Sequence, residues 1–115
     1  MKLSEIKSHL EGEVIFSLDE DIEIEMACGS DLMSDVLAFV KSNSLLLTGL
    51  INPQVIRTAE MVNIKAICFV RGKMPSDETI SLAKEIGIPL LRTGLPMYES
   101  CGRLYKADLP GCYGK

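Results

Sequence analysis

The chain has no tryptophan and only three tyrosines and three phenylalanines among its 115 residues. So few aromatics argue against a platform on which nucleic-acid bases stack. There is one histidine, His9, on a polar position of a helix-like N-terminal stretch and far in sequence from the glycine turns at positions 49, 72 and 94. A general base must stand beside the proton it takes, so His9 reads as a solvated side chain. No apolar run approaches the ~18 residues of a membrane span. Met1–Leu10 carries charges throughout and reads as an amphipathic helix rather than a signal peptide, so the cytoplasm is the expected location and a membrane partner is not expected. No two of Cys28, Cys68, Cys101 and Cys112 have the CxxC spacing of a structural zinc or redox site. Neither a Walker pattern nor G-x-G-x-x-G occurs, so no phosphate fingerprint is present. No cofactor is expected.

The charge balance points the same way. A net charge of −4 argues against a dedicated nucleic-acid binder. The acidity is local, in Asp19, Glu20, Asp21, Glu23 and Glu25, whereas Arg57, Lys65, Arg71, Lys73, Arg92, Arg103 and Lys106 fall in the second half. The length predicts a single domain over residues 1–115, and an apolar share of 47% predicts one that is well packed.

What the chain does have is a ladder of glycines. Gly29, Gly49, Gly72 and Gly94 stand 20, 23 and 22 residues apart. Each follows a short apolar run (Ile22–Cys28, Leu45–Thr48, Ile64–Val70, Pro89–Leu91) and precedes a helix-like stretch that begins near Ser30, Pro53, Ser76 or Pro96. One strand, one turn and one helix fit in about 20 residues, so the pattern is a β-turn-α repeat. The predicted architecture is a three-layer α/β/α fold whose sheet of about five strands is mixed and mainly parallel.

Local signals fill in that frame. Leu3, Ile6 and Leu10 recur at helical spacing and Gly12 stops the helix. Val14–Phe16 reads as a first strand. Ile22, Ile24 and Met26 alternate with Glu23 and Glu25 in a second, acidic strand. Only Ser17–Asp21 joins these two, too short for a parallel crossover, so they are expected to pair antiparallel if they pair. Met33, Val36, Leu37 and Val40 form an apolar stripe with Ser30 as its N-cap. Asn52 caps the next helix with Pro53 at its first position, and Val55, Ala59 and Val62 face inward. Ser76 or Asp77 opens a helix that Gly87 ends. Thr93 or Pro96 opens the last one, with Met97, Cys101, Leu104 and Tyr105 on one side. Met26, Met33 and Met61 read as core fillers. The tail after Pro110 reads as loose.

Parallel strands bring all the turns to one carboxyl edge, where open α/β sheets bind ligands. Arg71, Lys73 and Arg92 flank Gly72 and Gly94. Ser30, Thr48 and Thr93 add hydroxyls beside Gly49 and Asn52, and helix N-termini offer backbone N–H groups. Together they suit an anion such as a nucleotide phosphate or a carboxylate. The competing reading is structural: glycines end strands because turns need them, and loop cations are usually solvated. Cys28 precedes Gly29 and a helix start, where a thiol pKa can fall, but no histidine partner is evident and a buried structural thiol is the plainer reading. Cys68 reads as a core residue. Asp31 and Asp35 read as one helical face, with Asp31 a first-turn carboxylate. A metal site would require Cys28, Cys101 and Cys112 to meet without any spacing logic.

The stretches Cys28-Gly29-Ser30-Asp31-Leu32-Met33-Ser34-Asp35-Val36-Leu37, Leu45-Leu46-Leu47-Thr48-Gly49-Leu50 and Gly87-Ile88-Pro89-Leu90-Leu91-Arg92-Thr93 resemble the DRTGG domain family. The resemblance runs from about Leu3 to Leu109. It implies an α/β/α domain similar to the N-terminal domain of HPr kinase, of the kind found beside CBS modules in regulatory pyrophosphatases and in some phosphotransacetylases. It further implies a regulatory or dimer-forming role rather than a catalytic one. Stand-alone members near hydrogenase-related genes extend the implication to an accessory role in iron–sulfur or hydrogenase systems. Where the family carries Asp-Arg this chain has Leu50, Ile51 and Asn52, and where it carries Thr-Gly-Gly this chain has Val70, Arg71 and Gly72. Gly49 and Gly72 are the positions that match. The expected function is a non-catalytic regulatory or protein-interaction module, homodimeric. The alternative is a sensor of an adenine nucleotide or another small anion at the carboxyl edge.

Overall fold

The four glycine-ended runs form four neighbouring parallel strands in the computed structural model, which describes residues 1–112. Tyr113, Gly114 and Lys115, read above as part of a loose tail, lie outside the described residues. The elements are α1 (Leu3–His9), β1 (Glu13–Phe16), β2 (Met26–Gly29), α2 (Met33–Phe39), β3 (Ser44–Thr48), α3 (Pro53–Met61), β4 (Ala66–Phe69), α4 (Asp77–Ile86), β5 (Leu90–Arg92) and α5 (Met97–Lys106). The strand order is β1-β5-β4-β3-β2, with β1 antiparallel to β5 and the remaining pairs parallel. The sheet is therefore mixed and mainly parallel, with helices on both faces.

The layers follow from alternation along each strand. Leu46 of β3, Ile67 and Phe69 of β4 and Leu90 of β5 face Val36, Val55, Ile56, Ala59 and Ala83 of α2, α3 and α4. Leu45 and Leu47, Ala66 and Cys68, and Leu91 face Leu3, Ile6, Leu10, Leu104 and Leu109 on the α1 and α5 side. Three successive β-α-β crossovers step in one direction across the sheet, and their shared right-handedness puts α2, α3 and α4 on one face. The helix after β5 has no parallel neighbour to feed, and it returns over the opposite face to lie on β2 and β3 beside α1. Each fully buried leucine or isoleucine contributes about 1.5–3 kcal/mol relative to an exposed one, so both faces anchor the sheet.

Among the described residues, the one antiparallel strand pair of the sheet is β1 with β5. β1 does not meet β2; the two lie at opposite edges of the sheet. Residues 17–25 carry the chain from one edge to the other and are fastened to the N-terminus. Leu3 N donates to Ile22 O at 2.9 Å, Ile24 N donates to Met1 O at 2.8 Å, and Lys2 bridges Glu23. Ser4 N and Oγ donate to the Asp21 carboxylate at 3.0 and 2.6 Å, which hold that carboxyl below its usual range. The acidic run thus serves the N-terminus of α1, and the β2 ladder begins only at Met26.

Other corrections are local. Leu32, not Ser30, occupies the N-cap of α2, and Ser30 Oγ instead accepts from Leu32 N at 3.0 Å in a turn ahead of the helix. Asn52 stands at the N-cap of α3 ahead of Pro53, but its side chain makes no cap bond. Ser76 Oγ does cap α4, accepting from Thr79 N at 3.3 Å, and left-handed Gly87 closes that helix. Pro96 stands at the N-cap of α5. Leu37 and Tyr105 point outward, and Met61, read as a core filler, is 70% exposed at the end of α3. Gly111 is docked: Ala27 N donates to Pro110 O at 2.9 Å and Gly111 bridges Ala27, so the segment after α5 begins to cover the free edge of β2. Cys112 is buried there.

Candidate functional site

The carboxyl ends of β2, β3, β4 and β5 lie side by side, as the glycine ladder requires, but the rim is held together differently from the sequence reading. The Asp31 carboxylate, in the turn between β2 and α2, crosses to β3. Its Oδ1 accepts from Thr48 Oγ1 at 2.9 Å and from the Gly49 backbone N at 2.7 Å. Asp31 is thus no part of a helical face. It occupies the two donors that Thr48 and Gly49 were expected to offer an anion. Thr48 Oγ1 also accepts from Leu50 N at 3.2 Å.

The next turn is a tight one. Arg71 and Gly72 have φ of 57° and 69°, and Lys73 N donates to Val70 O at 3.2 Å, the i→i+3 bond of a β-turn with two left-handed central residues. Glycine at position 72 removes the steric cost there, while Arg71 bears it. The turn is docked on the next loop: Arg71 N donates to Leu95 O and Gly72 N to Thr93 O, both at 2.8 Å. These amides point into the protein. What Arg71 presents to solvent is its side chain. A Cβ built on Gly49 would stand 3.8 Å from Arg71 Nη2 and 3.6 Å from both Asp31 carboxylate oxygens, so the guanidinium and the carboxylate lean over the same glycine.

The remaining rim residues separate. Arg92 lies opposite Glu13 in the β5–β1 register, pairs with its carboxylate at 2.9 Å, and donates to Met74 Sδ at 3.6 Å. Thr93 is buried and turned inward. Its Oγ1 donates to Leu10 O at 2.6 Å and accepts from Leu95 N at 3.1 Å, which ties the last loop to the end of α1. Gly94 is exposed with open space around it, and Lys73 and Asn52 are exposed. The structure therefore gathers Thr48, Gly49 and Arg71 around Asp31. It does not bring Ser30, Arg92, Thr93 or Gly94 into that group.

The thiols converge on the opposite flank. Cys28, in β2, approaches Cys101 and Cys112, while Cys68 lies fully buried in β4. Burial pushes the Cys28 thiol up to about 12, helped by the adjacent Cys112 and Cys101 thiols, and burial alone does the same to Cys68. Cys101 is shifted upward by burial as well. The helix start after Gly29 therefore does not lower the Cys28 pKa. Among the described residues, no group of three or more Cys, His, Asp or Glu side chains is arranged to hold a metal ion.

A second concave feature lies on this flank. A groove of about 570 Å³ runs between α5 and the free edge of β2, floored by Leu47, Leu104 and Leu109. Tyr98 and Tyr105 stand on its lip, 84% and 74% exposed. The groove exists because α5 crosses close to β2. A Cβ on Gly29 would fall 2.7 Å from Cys101 Sγ and 2.9 Å from Met97 Sδ, so Gly29 is required by helix packing. Sequence reasoning missed this groove. Helical periodicity placed Tyr105 with the apolar side of α5, and nothing local indicates that α5 returns to β2. Among the described residues no helix is long and apolar enough to cross a membrane.

No family model matches the sequence, and no curated protein matches it. A solved structure is similar: the CBS and DRTGG domains of the regulatory region of Clostridium perfringens pyrophosphatase, complexed with its activator diadenosine tetraphosphate. The TM-score is 0.73 at 18% identity, with 96% of this chain and 48% of that one covered. The chain thus spans about half the length of that protein chain. At this identity the likeness shows the fold alone: the chain has a DRTGG-like α/β fold.

Proposed function

We propose that the chain acts as one non-catalytic regulatory module in the cytoplasm, responding to an adenine nucleotide or a related anionic metabolite at the carboxyl edge of its sheet. The observation that carries this reading is the arrangement over Gly49. Arg71 is held in a left-handed conformation, which costs about 1–2 kcal/mol for a non-glycine residue, and its guanidinium leans over a glycine whose amide an internal carboxylate occupies. An incoming phosphate would take the Asp31 place on the Gly49 amide and Thr48 hydroxyl, with Arg71 and Lys73 as counter-charges. Raised thiol pKa values at Cys28 and Cys101 support a non-catalytic role, because a protonated thiol is a poor nucleophile. The similar regulatory region, solved with a nucleotide activator, supports the ligand class.

The test is a thermal-shift series with ATP, AMP, diadenosine tetraphosphate and tripolyphosphate. A rise in melting temperature that Arg71→Ala abolishes is expected. No shift with any of the four in the parent protein rejects the ligand.

A homodimeric interaction module is the second reading, favoured by Leu32, Leu37 and Phe39, which stay exposed in and just ahead of α2. Light scattering that reports a monomer across the micromolar range removes it. The accessory role in iron–sulfur or hydrogenase chemistry rests on the family resemblance alone. Anaerobic reconstitution that yields no bound metal or chromophore removes that role.

A further inference from the structure

The geometry points to the groove between α5 and the edge of β2 as the seat of a planar, nucleobase-sized ring. This inference rests on the reading of the chain as a nucleotide sensor and names the part of the ligand that the carboxyl rim leaves unplaced. The groove volume of about 570 Å³ lies within the range of small-molecule sites, roughly 300–1,000 Å³.

One wall is bare. Gly102 on the helix side brings no side chain to the groove, and space is open where its Cβ would be, whereas Cys101 and Met97 of α5 already fill the space over Gly29 on the strand side. The floor is aliphatic, and the lip carries two exposed phenol rings one heptad apart on α5, on the same face of the helix. Exposed tyrosines bordering an apolar floor are suited to stack on a base, and stacking accepts any base because each has a π face.

Hydrogen-bonding groups for a base edge stand on the strand side. Ala27 turns its N–H away from β3 to reach Pro110, and Ser30 N bonds back to Leu47 O. Alternation therefore turns the backbone of Gly29 outward, toward the groove it lines. Of the cations on the lip, Arg103 is engaged with Glu11 at 2.6 Å and with His9 O at 3.2 Å, while Lys106 also lines the opening. Gly29 lies opposite Leu47 in the β2–β3 register, so Gly49 stands one strand over and two residues further along, roughly 8 Å away by strand spacing and rise, and a ring in the groove and a phosphate over Gly49 fall within the span of one nucleotide.

The experiment is an amide-resolved NMR titration run twice, with adenosine, which carries no phosphate, and with tripolyphosphate, which carries no base. Adenosine is expected to move the Gly29, Tyr98, Gly102 and Tyr105 amides to saturation. A Tyr98→Ala/Tyr105→Ala variant, whose stability should be unchanged, is expected to weaken that binding about tenfold. Adenosine that leaves these amides in place overturns the groove, whatever tripolyphosphate does. Tripolyphosphate that leaves Arg71 and Gly72 in place while adenosine fills the groove removes the rim reading and leaves the groove standing. Movement of the groove amides on protein dilution alone would show a second copy covering the site, and would also overturn the inference.

Discussion

The carboxylate of Asp31 sits on the backbone amide of Gly49, with Oδ1 2.7 Å from the nitrogen. The two residues are on different strand-ending turns, and the bond links the carboxyl ends of β2 and β3. An acceptor is therefore built into the place where an external anion would bind. Either the rim is permanently closed by its own carboxylate, or a ligand must compete with Asp31 for the Gly49 amide. The variants of Asp31 separate these cases.

Asp31→Ala removes the acceptor of the fully buried Thr48 hydroxyl and of the Gly49 amide. A loss of about 1–3 kcal/mol in urea-induced unfolding is expected. If Asp31 also competes with a ligand, Asp31→Asn should bind tripolyphosphate more tightly than the parent. Unchanged stability in Asp31→Ala would mean that neither bond matters to the fold.

Gly29→Ala places a methyl group 2.7 Å from Cys101 Sγ and 2.9 Å from Met97 Sδ. Overpacking of this kind costs about 1–3 kcal/mol. The further change Cys101→Ala should restore part of that loss, because it empties the closest contact. A double-mutant cycle showing simple additivity would contradict the contact.

Thr58 in α3 is fully buried, and its Oγ1 has no hydrogen-bond partner among the described residues. A buried hydroxyl without a partner carries an uncompensated desolvation cost. Thr58→Val keeps the shape and removes the hydroxyl, so stability should rise by about 1 kcal/mol. A clear loss in the same urea titration would show that the hydroxyl is satisfied.

Burial raises the Cys68 thiol to about 12 in the folded chain. The unfolded chain, with an ordinary thiol, loses its proton first, so it binds fewer protons than the native state above the ordinary thiol range. Stability from this group is therefore complete below that range and falls as pH rises through it toward about 12. The slope is at most about 1.4 kcal/mol per pH unit for each thiol. Cys68→Ala should be less stable near neutrality, since it leaves a cavity, yet show a flatter alkaline decline. A decline as steep as that of the parent would assign it to other groups.

Much of the fold was legible because its signals are local. Leu45–Leu47 and Ala66–Phe69 are apolar on both faces, as strands covered by helices on both sides must be. Pro53 and Gly87 mark a helix start and a helix end by their own backbone constraints. The sequence leaves open whether β1 and β2 pair, because linker length limits which pairings are possible but does not choose among partners. Here β1 joins β5, and the short link crosses the sheet because the N-terminal segment holds it there.

The candidate site divides along the same line. By itself the sequence determined that four turns end four parallel strands at one edge, since strand, turn and helix repeat at a fixed period. Only the tertiary structure decided which polar groups remain free there. Asp31 takes Gly49, Glu13 takes Arg92, and Thr93 turns inward to Leu10, each over at least 18 residues of chain. Only the tertiary structure, too, brought α5 against β2 to make the groove. Such contacts depend on where distant segments meet in space, and no period in the sequence records that.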